Sequence, residues 1–128
     1  MKILLDTCTF LWIASDSPEL SRNAKEIFRS PENSVYLSSV SVWEIAVKYA
    51  MGKLPLPEKP SIFVPEQREL HYIESLPLYE RASFRLNDLP QIHRDPFDRM
   101  LICQAIENDL IFLTPDPLIR QYPVKTVW

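Results

Sequence analysis

The sequence predicts an α/β fold, a three-layer α/β/α sandwich with a central parallel sheet, formed by residues 1–128 as a single domain. Short β-rich apolar runs alternate with segments of helical spacing, a pattern typical of parallel sheets that are covered by helices on both faces. The length of 128 residues is that of one domain. Hydrophobic residues make up 46% of the chain and charged residues 24%, which is ordinary for a protein with a buried core.

The first half of the chain contains two predicted strands and three predicted helices. In chain order they are strand 2–5, helix 7–14, helix 21–28, strand 35–37 and helix 42–51. The apolar run of the first strand ends at Asp6. Ser21 is the expected N-cap of the second helix, because its hydroxyl can accept from the free N–H groups of the first turn. Gly52 stands where a left-handed C-cap would end the third helix.

The second half continues the alternation after an extended, Pro-punctuated connector over residues 54–60. Its predicted elements are helix 62–70, strand 72–76, helix 79–86, helix 96–107, strand 110–113 and a short last strand at 125–127. Pro65 weakens the case for the first of these helices. The helix at 96–107 is the clearest, because Asp95 is a typical N-cap and Pro96 occupies N1, where its missing N–H costs nothing.

Composition excludes several classes of protein. Gly52 is the only glycine, so the glycine-rich phosphate loops of dinucleotide-binding and P-loop proteins are absent. No apolar run approaches the roughly 18 residues of a membrane span, and Asp6 would interrupt the apolar part of a signal peptide. Cys8 and Cys103 form no metal-binding spacing, and we expect free, buried thiols in a cytoplasmic protein. The net charge of −3 gives no global attraction to nucleic acid.

Four acidic residues are predicted to lie at one edge of the sheet. Ligands of parallel sheets bind beyond the carboxyl ends of the strands. Asp6 ends the first strand, and Asp116 follows the fourth. Glu44 begins the helix after the second strand, and Asp98 begins the clearest helix.

Each of these acids also has a structural explanation. Asp6 could cap a helix. Glu44 follows Ser41 by three positions, which fits a capping box. Asp98 occupies N3, where the helix dipole favours a carboxylate. Asp116 lies between two prolines, a usual setting for a turn.

A metal ion would explain the four acids together. Converging carboxylates raise one another's pKa values and cost stability unless a cation is present. Oxygen ligands of this kind suit Mg²⁺ or Mn²⁺. The only histidines, His71 and His93, are in segments not obviously near these acids, so a histidine-based zinc site is not expected.

Neighbouring residues are possible supports of this site. Asp95 is interpreted as the cap that orients Asp98 rather than as a further ligand. Arg94 and Arg99 could contact phosphates, although solvated surface charge is the simpler interpretation of each.

Four segments of the sequence resemble motifs of the PIN-domain ribonucleases, specifically the VapC-type toxins of bacterial and archaeal toxin–antitoxin pairs. In chain order the segments are LLDTCTFLW, SSVSVWEIAVKYAMGKLPLP, HRDPFDRMLICQA and LIFLTPDPLIRQY. They contain Asp6, Glu44, Asp98 and Asp116 in the family's order and spacing. The chain departs from many relatives at Cys8 and Pro115, and neither departure replaces a carboxylate.

The resemblance implies a fold, an activity and partners. It implies an α/β/α sandwich and Mg²⁺- or Mn²⁺-dependent hydrolysis of RNA phosphodiesters. It also implies a homodimer and a cognate antitoxin that occupies the active-site groove. Thr7 resembles a family hydroxyl that supports the metal site, and the competing role for Thr7 is a helix N-cap.

Two other classes of function stay open from the sequence. One is a different Mg²⁺-dependent phosphohydrolase on a similar sheet. Common aspartate phosphatases have Asp-x-Asp after the first strand, however, and this chain has Asp6-Thr7-Cys8. The other is a non-catalytic module that keeps the fold and binds a partner.

Overall fold

The computed structural model describes residues 1–128 and contains a five-stranded, wholly parallel sheet. Its strands in chain order are β1 Lys2–Leu5, β2 Ser34–Ser38, β3 Ile73–Leu76, β4 Ile111–Leu113 and β5 Thr126–Val127. They lie side by side in the order β3-β2-β1-β4-β5. The first strand is therefore central, with β2 and β3 on one side of it and β4 and β5 on the other.

Six α-helices accompany the sheet. They are α1 Thr7–Ser15, α2 Arg22–Arg29, α3 Ser39–Ala50, α4 Pro60–Leu70, α5 Glu80–Phe84 and α6 Pro96–Glu107. Short 3₁₀ turns lie at Arg85–Asp88 and Ile119–Gln121. None of the helices is long and apolar enough to cross a membrane.

The hydrophobic core lies on both faces of the sheet, as the sandwich prediction requires. Ile3 and Leu5 of β1 face a cluster that contains buried residues of α1, α2 and α4. Leu4, between them in sequence, faces a second cluster, to which α6 contributes Leu101, Ile102, Cys103 and Ala105. Because side chains alternate across a strand, this single buried strand separates the two halves of the core. The predicted fold class is confirmed.

Side chains cap the N-termini of three of the six α-helices, namely α2, α3 and α6. The Ser21 hydroxyl accepts from the backbone N–H of Ala24 at 2.9 Å. The Asp95 carboxylate accepts from the N–H of Phe97 at 2.9 Å. Gly52 has a φ of 69°, the left-handed conformation predicted after α3.

The alternative explanation of Glu44, a capping box with Ser41, does not hold in the structure. The strand β2 runs without a loop into α3, so the helix begins at Ser39 and Ser38 is its N-cap. The Ser38 hydroxyl accepts from the N–H of Val40 at 3.0 Å. Ser41 is fully buried inside the helix, and Glu44 is therefore free of any capping role.

Other boundaries differ by a few residues. Helix α4 begins at Pro60 and includes Pro65. Strand β3 begins at Ile73, because Tyr72 has a φ of 56° and is 90% exposed. The predicted helix at 79–86 is a shorter α-helix followed by a 3₁₀ turn.

Candidate metal centre

The four predicted acids come from four different elements that meet at the carboxyl end of the central strands. Asp6 directly follows β1 and Asp116 lies in the segment after β4, while Glu44 belongs to α3 and Asp98 to the first turn of α6. Asp6 and Glu44 are buried, with 5% and 4% of their surface exposed. The strand order reverses between β1 and β4, because the chain continues from β1 to one side of the sheet and later returns to the other. Parallel sheets bind their ligands at such a point, beyond the carboxyl ends of the strands.

The pKa of Asp98 shows that these acids converge. Burial, together with the negative charges of the surrounding acids, raises the pKa of Asp98 to about 8; the charges contribute in the decreasing order Asp6, Asp95, Glu44 and Asp116. Burial likewise raises the pKa of Asp6, with smaller contributions from Glu44 and Asp116. The site is therefore short of positive charge when no cation is bound.

Thr114 links Asp6 to Asp116. Its hydroxyl donates to Asp6 Oδ2 at 2.6 Å, a contact that lowers the pKa of Asp6 against the larger effect of burial. The same hydroxyl accepts from the backbone N–H of Asp116 at 3.1 Å. Thr114 is fully buried, so this small bridge fixes the end of β4 against the end of β1.

Glu44 has one occupied and one free carboxylate oxygen. Oε2 accepts from the ammonium group of Lys48, one helical turn later. Oε1 is buried and has no hydrogen-bond partner. A buried carboxylate oxygen without a partner costs free energy unless a ligand satisfies it, and this oxygen belongs to the acidic cluster.

His93 also belongs to the cluster, so the prediction that both histidines lie away from the acids is wrong. His93 Nε2 is 2.9 Å from Asp116 Oδ2 and 3.1 Å from Asp98 Oδ2. Its Nδ1 accepts from the backbone N–H of Asp95 at 3.1 Å. Because Nδ1 is an acceptor, the ring proton resides on Nε2, which therefore donates to the two carboxylates.

Asp116 is held by donors on both of its oxygens. Oδ2 accepts from His93, and Oδ1 accepts from the backbone N–H of Leu118 at 2.8 Å. The ligand atoms of His93, Asp98 and Asp116 lie within 4.8 Å of one another. The two flanking prolines therefore leave Asp116 inside the cluster.

The predicted supporting residues have different surroundings. Asp95 is the N-cap of α6, and its Oδ1 also receives the N–H of Asp98 at 3.4 Å. Thr7 is the first residue of α1 and donates to the Ser41 hydroxyl at 2.8 Å, so it is not the helix N-cap. Arg99 is buried and donates to the carbonyl oxygen of Pro90 at 2.8 Å. The interpretation of Arg99 as solvated surface charge is wrong, whereas Arg94 is exposed.

Three residues of the site were not identified from the sequence. Lys48 could have been found from its spacing of four from Glu44. Thr114 precedes Asp116 by two residues, as in a hydroxyl-capped turn. His93 precedes Asp95 by two residues, but no local rule places its ring among the acids.

The donor set fits a hard divalent cation. The cluster offers carboxylate oxygens, one of them buried and unpartnered at Glu44, and burial together with neighbouring negative charges raises the pKa of Asp98. Mg²⁺ and Mn²⁺ bind through a few carboxylates of this kind and keep several waters. In its present tautomer His93 is a donor to these carboxylates rather than a ligand.

Comparison with known proteins identifies the family. Residues 3–125 match the family model described as PIN domain. Because this match covers nearly the whole chain, the protein belongs to the PIN domain family.

Individual relatives are similar over different lengths. A segment of 54 residues is 41% identical to the protein described as Ribonuclease VapC16 of Mycobacterium tuberculosis, and it covers 39% of this chain and 38% of the relative. The chain thus matches well under half of that relative's length.

Solved structures share the fold. VapBC2 from Rickettsia felis, solved bound to a DNA fragment from its promoter, aligns with a TM-score of 0.75 at 16% identity, over 99% of this chain and 98% of the other. DNA-bound VapBC from Salmonella typhimurium gives a TM-score of 0.67 at 19% identity, over 99% and 97%. FitAcB from Neisseria gonorrhoeae gives 0.62 at 20% identity, over 98% and 96%.

Proposed function

We propose that the protein is an Mg²⁺- or Mn²⁺-dependent endoribonuclease that hydrolyses RNA phosphodiester bonds, and that it is the toxin of a toxin–antitoxin pair. The observation that carries the catalytic part is the convergence of four acids with a buried, unpartnered oxygen at Glu44. The relative described as a ribonuclease supports the choice of substrate.

In this proposal Asp6, Glu44 and Asp98 bind the metal ion, and Asp116 completes the site. A bound Mg²⁺ or Mn²⁺ supplies Lewis-acid chemistry for attack of water on a phosphodiester. Thr114 holds Asp6 through its hydrogen bond, so the carboxylate keeps its orientation. His93 holds one oxygen of Asp98 and of Asp116, and Lys48 neutralises part of the charge of Glu44.

The test is cleavage of RNA by purified protein with Mg²⁺ or Mn²⁺, comparing the native chain with Asp6→Asn. Asp88→Asn is a matched control, because Asp88 is exposed and outside the cluster. We expect cleavage by the native protein and by the control, and none by Asp6→Asn or in the presence of chelator. Equal cleavage by native and Asp6→Asn protein, or none by native protein freed of any bound partner, would refute the proposal.

Two further measurements, calorimetry and a phosphomonoester assay, separate the two other functions that the sequence left open. A non-catalytic module with a degenerate site would show no heat of Mn²⁺ binding in calorimetry. A phosphohydrolase of another kind would bind Mn²⁺ and release phosphate from phosphomonoesters, with RNA left intact.

The toxin role adds a cognate antitoxin, a homodimer and inhibition of translation to the proposal. These rest on the resemblance of the four motifs, and structures described as VapBC and FitAcB have the same fold. Induced expression in growing cells, with mapping of new RNA ends, tests the role. We expect growth arrest with cleaved RNA from the native chain and neither effect from Asp6→Asn. Sedimentation tests the homodimer.

A further inference from the structure

A cavity of about 660 Å³ adjoins the acidic cluster. His93 belongs to both places: its ring contacts Asp98 and Asp116, and it also lines the cavity. The other walls are formed by the start of α6, by α3 and by the segments near Leu78 and Ile92. A ligand in this cavity would therefore lie directly beside the metal ligands.

The charge of the cavity is opposite to that of its neighbour. None of its 11 lining residues is an aspartate or a glutamate, although the chain has 17 acids against 14 lysines and arginines. Arg94 and Arg99 both line it. Arg94 is exposed and takes part in no ion pair of the molecule, so its guanidinium is available to an anionic ligand.

An exposed aromatic side chain forms one side of the same cavity. Trp43 is 60% exposed. Its indole packs edge-to-face against Phe97, with ring centroids 4.8 Å apart. Glu44 and Asp98 are the next residues along α3 and α6, so the aromatic pair and the two acids are carried by the same parts of these two helices.

We propose that the cavity is a subsite for one unpaired base of a single-stranded RNA, next to the phosphate at the acidic cluster. Trp43 stacks on the base, and Arg94 contacts the adjacent backbone phosphate. Proteins that bind single-stranded RNA combine aromatic stacking with cationic contacts in this way. The inference deepens the proposed function and rests on it for the position of the phosphate.

The charge of the walls decides between possible occupants. A nucleotide supplies a flat aromatic base for Trp43 and an anionic phosphate for Arg94. The next phosphate of the same strand would lie at the acidic cluster, on the far side of His93. A protein partner or a second copy of the chain would also cover Trp43. Sedimentation of the Trp43→Ala protein tests the second copy as an alternative occupant.

The experiment measures binding apart from cleavage. All variants are made in the Asp6→Asn background, and the probe is a short labelled single-stranded oligoribonucleotide, compared with the duplex formed with its complement. We expect Trp43→Ala to weaken binding of the single strand by about tenfold, since stacking of one base has an effect of this order. Trp43→Phe should retain most of the affinity, and Tyr72→Ala is the exposed aromatic control. The duplex should bind weakly to every variant, because its bases are paired.

The arginine is tested through the salt dependence of binding. Arg94→Gln should weaken binding and lower the slope of log affinity against log salt by about 0.7, the value for one phosphate contact on a single strand. Arg22→Gln is the matched control, because Arg22 is a surface arginine with a 94% exposed side chain.

Two results would overturn the subsite. One is unchanged affinity and salt dependence in both the Trp43→Ala and Arg94→Gln proteins. The other is a change of oligomeric state in Trp43→Ala by sedimentation, which would make this face an interface between copies of the chain. Failure of the nuclease proposal has a different signature: the protein without Asp6→Asn cleaves no RNA, whatever the dependence of binding on Trp43.

Discussion

Asp98 makes the stability of the metal-free protein depend on pH in an unusual direction. The pKa of its carboxyl is about 8 in the folded protein, against 3.8 for an ordinary aspartate. Between these values the folded state binds a proton that the unfolded state has released. The free energy of unfolding therefore falls as the pH rises through this window, by about 1.4 kcal/mol per pH unit.

We predict that Asp98→Asn stabilises the metal-free protein at neutral pH. From pH 3.8 to pH 7 the native chain loses about 4 kcal/mol through Asp98, whose side chain is only 14% exposed. Asparagine cannot ionise, so the variant avoids this loss. At pH 7 the Asp98 carboxyl is mostly protonated in the folded protein, so the variant gives up no carboxylate–dipole interaction. The expected gain at pH 7 is about 4 kcal/mol, and near pH 4 the two proteins should be almost equally stable.

The assay is urea unfolding with a chelator present, repeated from pH 4 to pH 8 for the native chain and the variant. Glu32→Gln is the control, since Glu32 is an exposed acid away from the cluster, and its curve should follow the native one. With saturating Mn²⁺ the native chain should become the more stable protein, because only it keeps the full ligand set. An Asp98→Asn curve parallel to the native curve, or a less stable variant at pH 7 in chelator, would show that the charge of Asp98 is compensated in the fold.

Three further substitutions test the residues around the acids. His93→Ala should weaken Mn²⁺ binding by about tenfold in calorimetry, as is usual when a donor that orients metal ligands is removed. His93→Gln should recover part of the affinity, because its amide can still donate. Equal affinities in the native protein and both variants would contradict this role. Lys48→Met should strengthen Mn²⁺ binding several-fold, because it removes a cation that competes for Glu44. It should lower the metal-free stability by about 1–3 kcal/mol, because it leaves the buried Glu44 carboxylate without a donor on either oxygen. Weaker Mn²⁺ binding would instead mean that Lys48 supports the bound state. Thr114→Val should lower the free energy of unfolding by about 2 kcal/mol, because it removes the donor to Asp6 and the acceptor for the N–H of Asp116. The loss should grow with rising pH through the Asp6 titration, because the hydroxyl lowers the pKa of Asp6. A pH-independent loss in urea unfolding would argue against that hydrogen bond.

The elements predicted correctly from the sequence are those whose start and end depend only on residues close together in the chain. The apolar run before Asp6 is a buried strand, and the pair Asp95–Pro96 starts α6 at the predicted residue. The alternation of strands and helices was sufficient to predict the parallel sheet and the helices that cover both of its faces. The convergence of the acids followed, because parallel strands present their carboxyl ends at one edge.

The details that were wrong depend on contacts between distant segments. Both Ser38 and Ser41 satisfy the local rule for an N-cap. Pairing of Ser38 with Leu76 extends β2 up to the helix, and this leaves Ser41 inside α3. His93 enters the cluster because the backbone N–H of Asp95 holds its ring, an interaction that neither composition nor spacing indicates.

The central position of β1 determines when this site can exist during synthesis. The bond from Thr114 to Asp6 spans 108 residues, and β4 pairs directly with the first strand. A nascent chain that has emerged only as far as α6 has three of the four acids but lacks the strand that fixes Asp6. Contacts of such long sequence separation form late and slowly. We therefore expect the acidic cluster to assemble only after β4 has emerged from the ribosome, although three of its four acids are synthesised earlier.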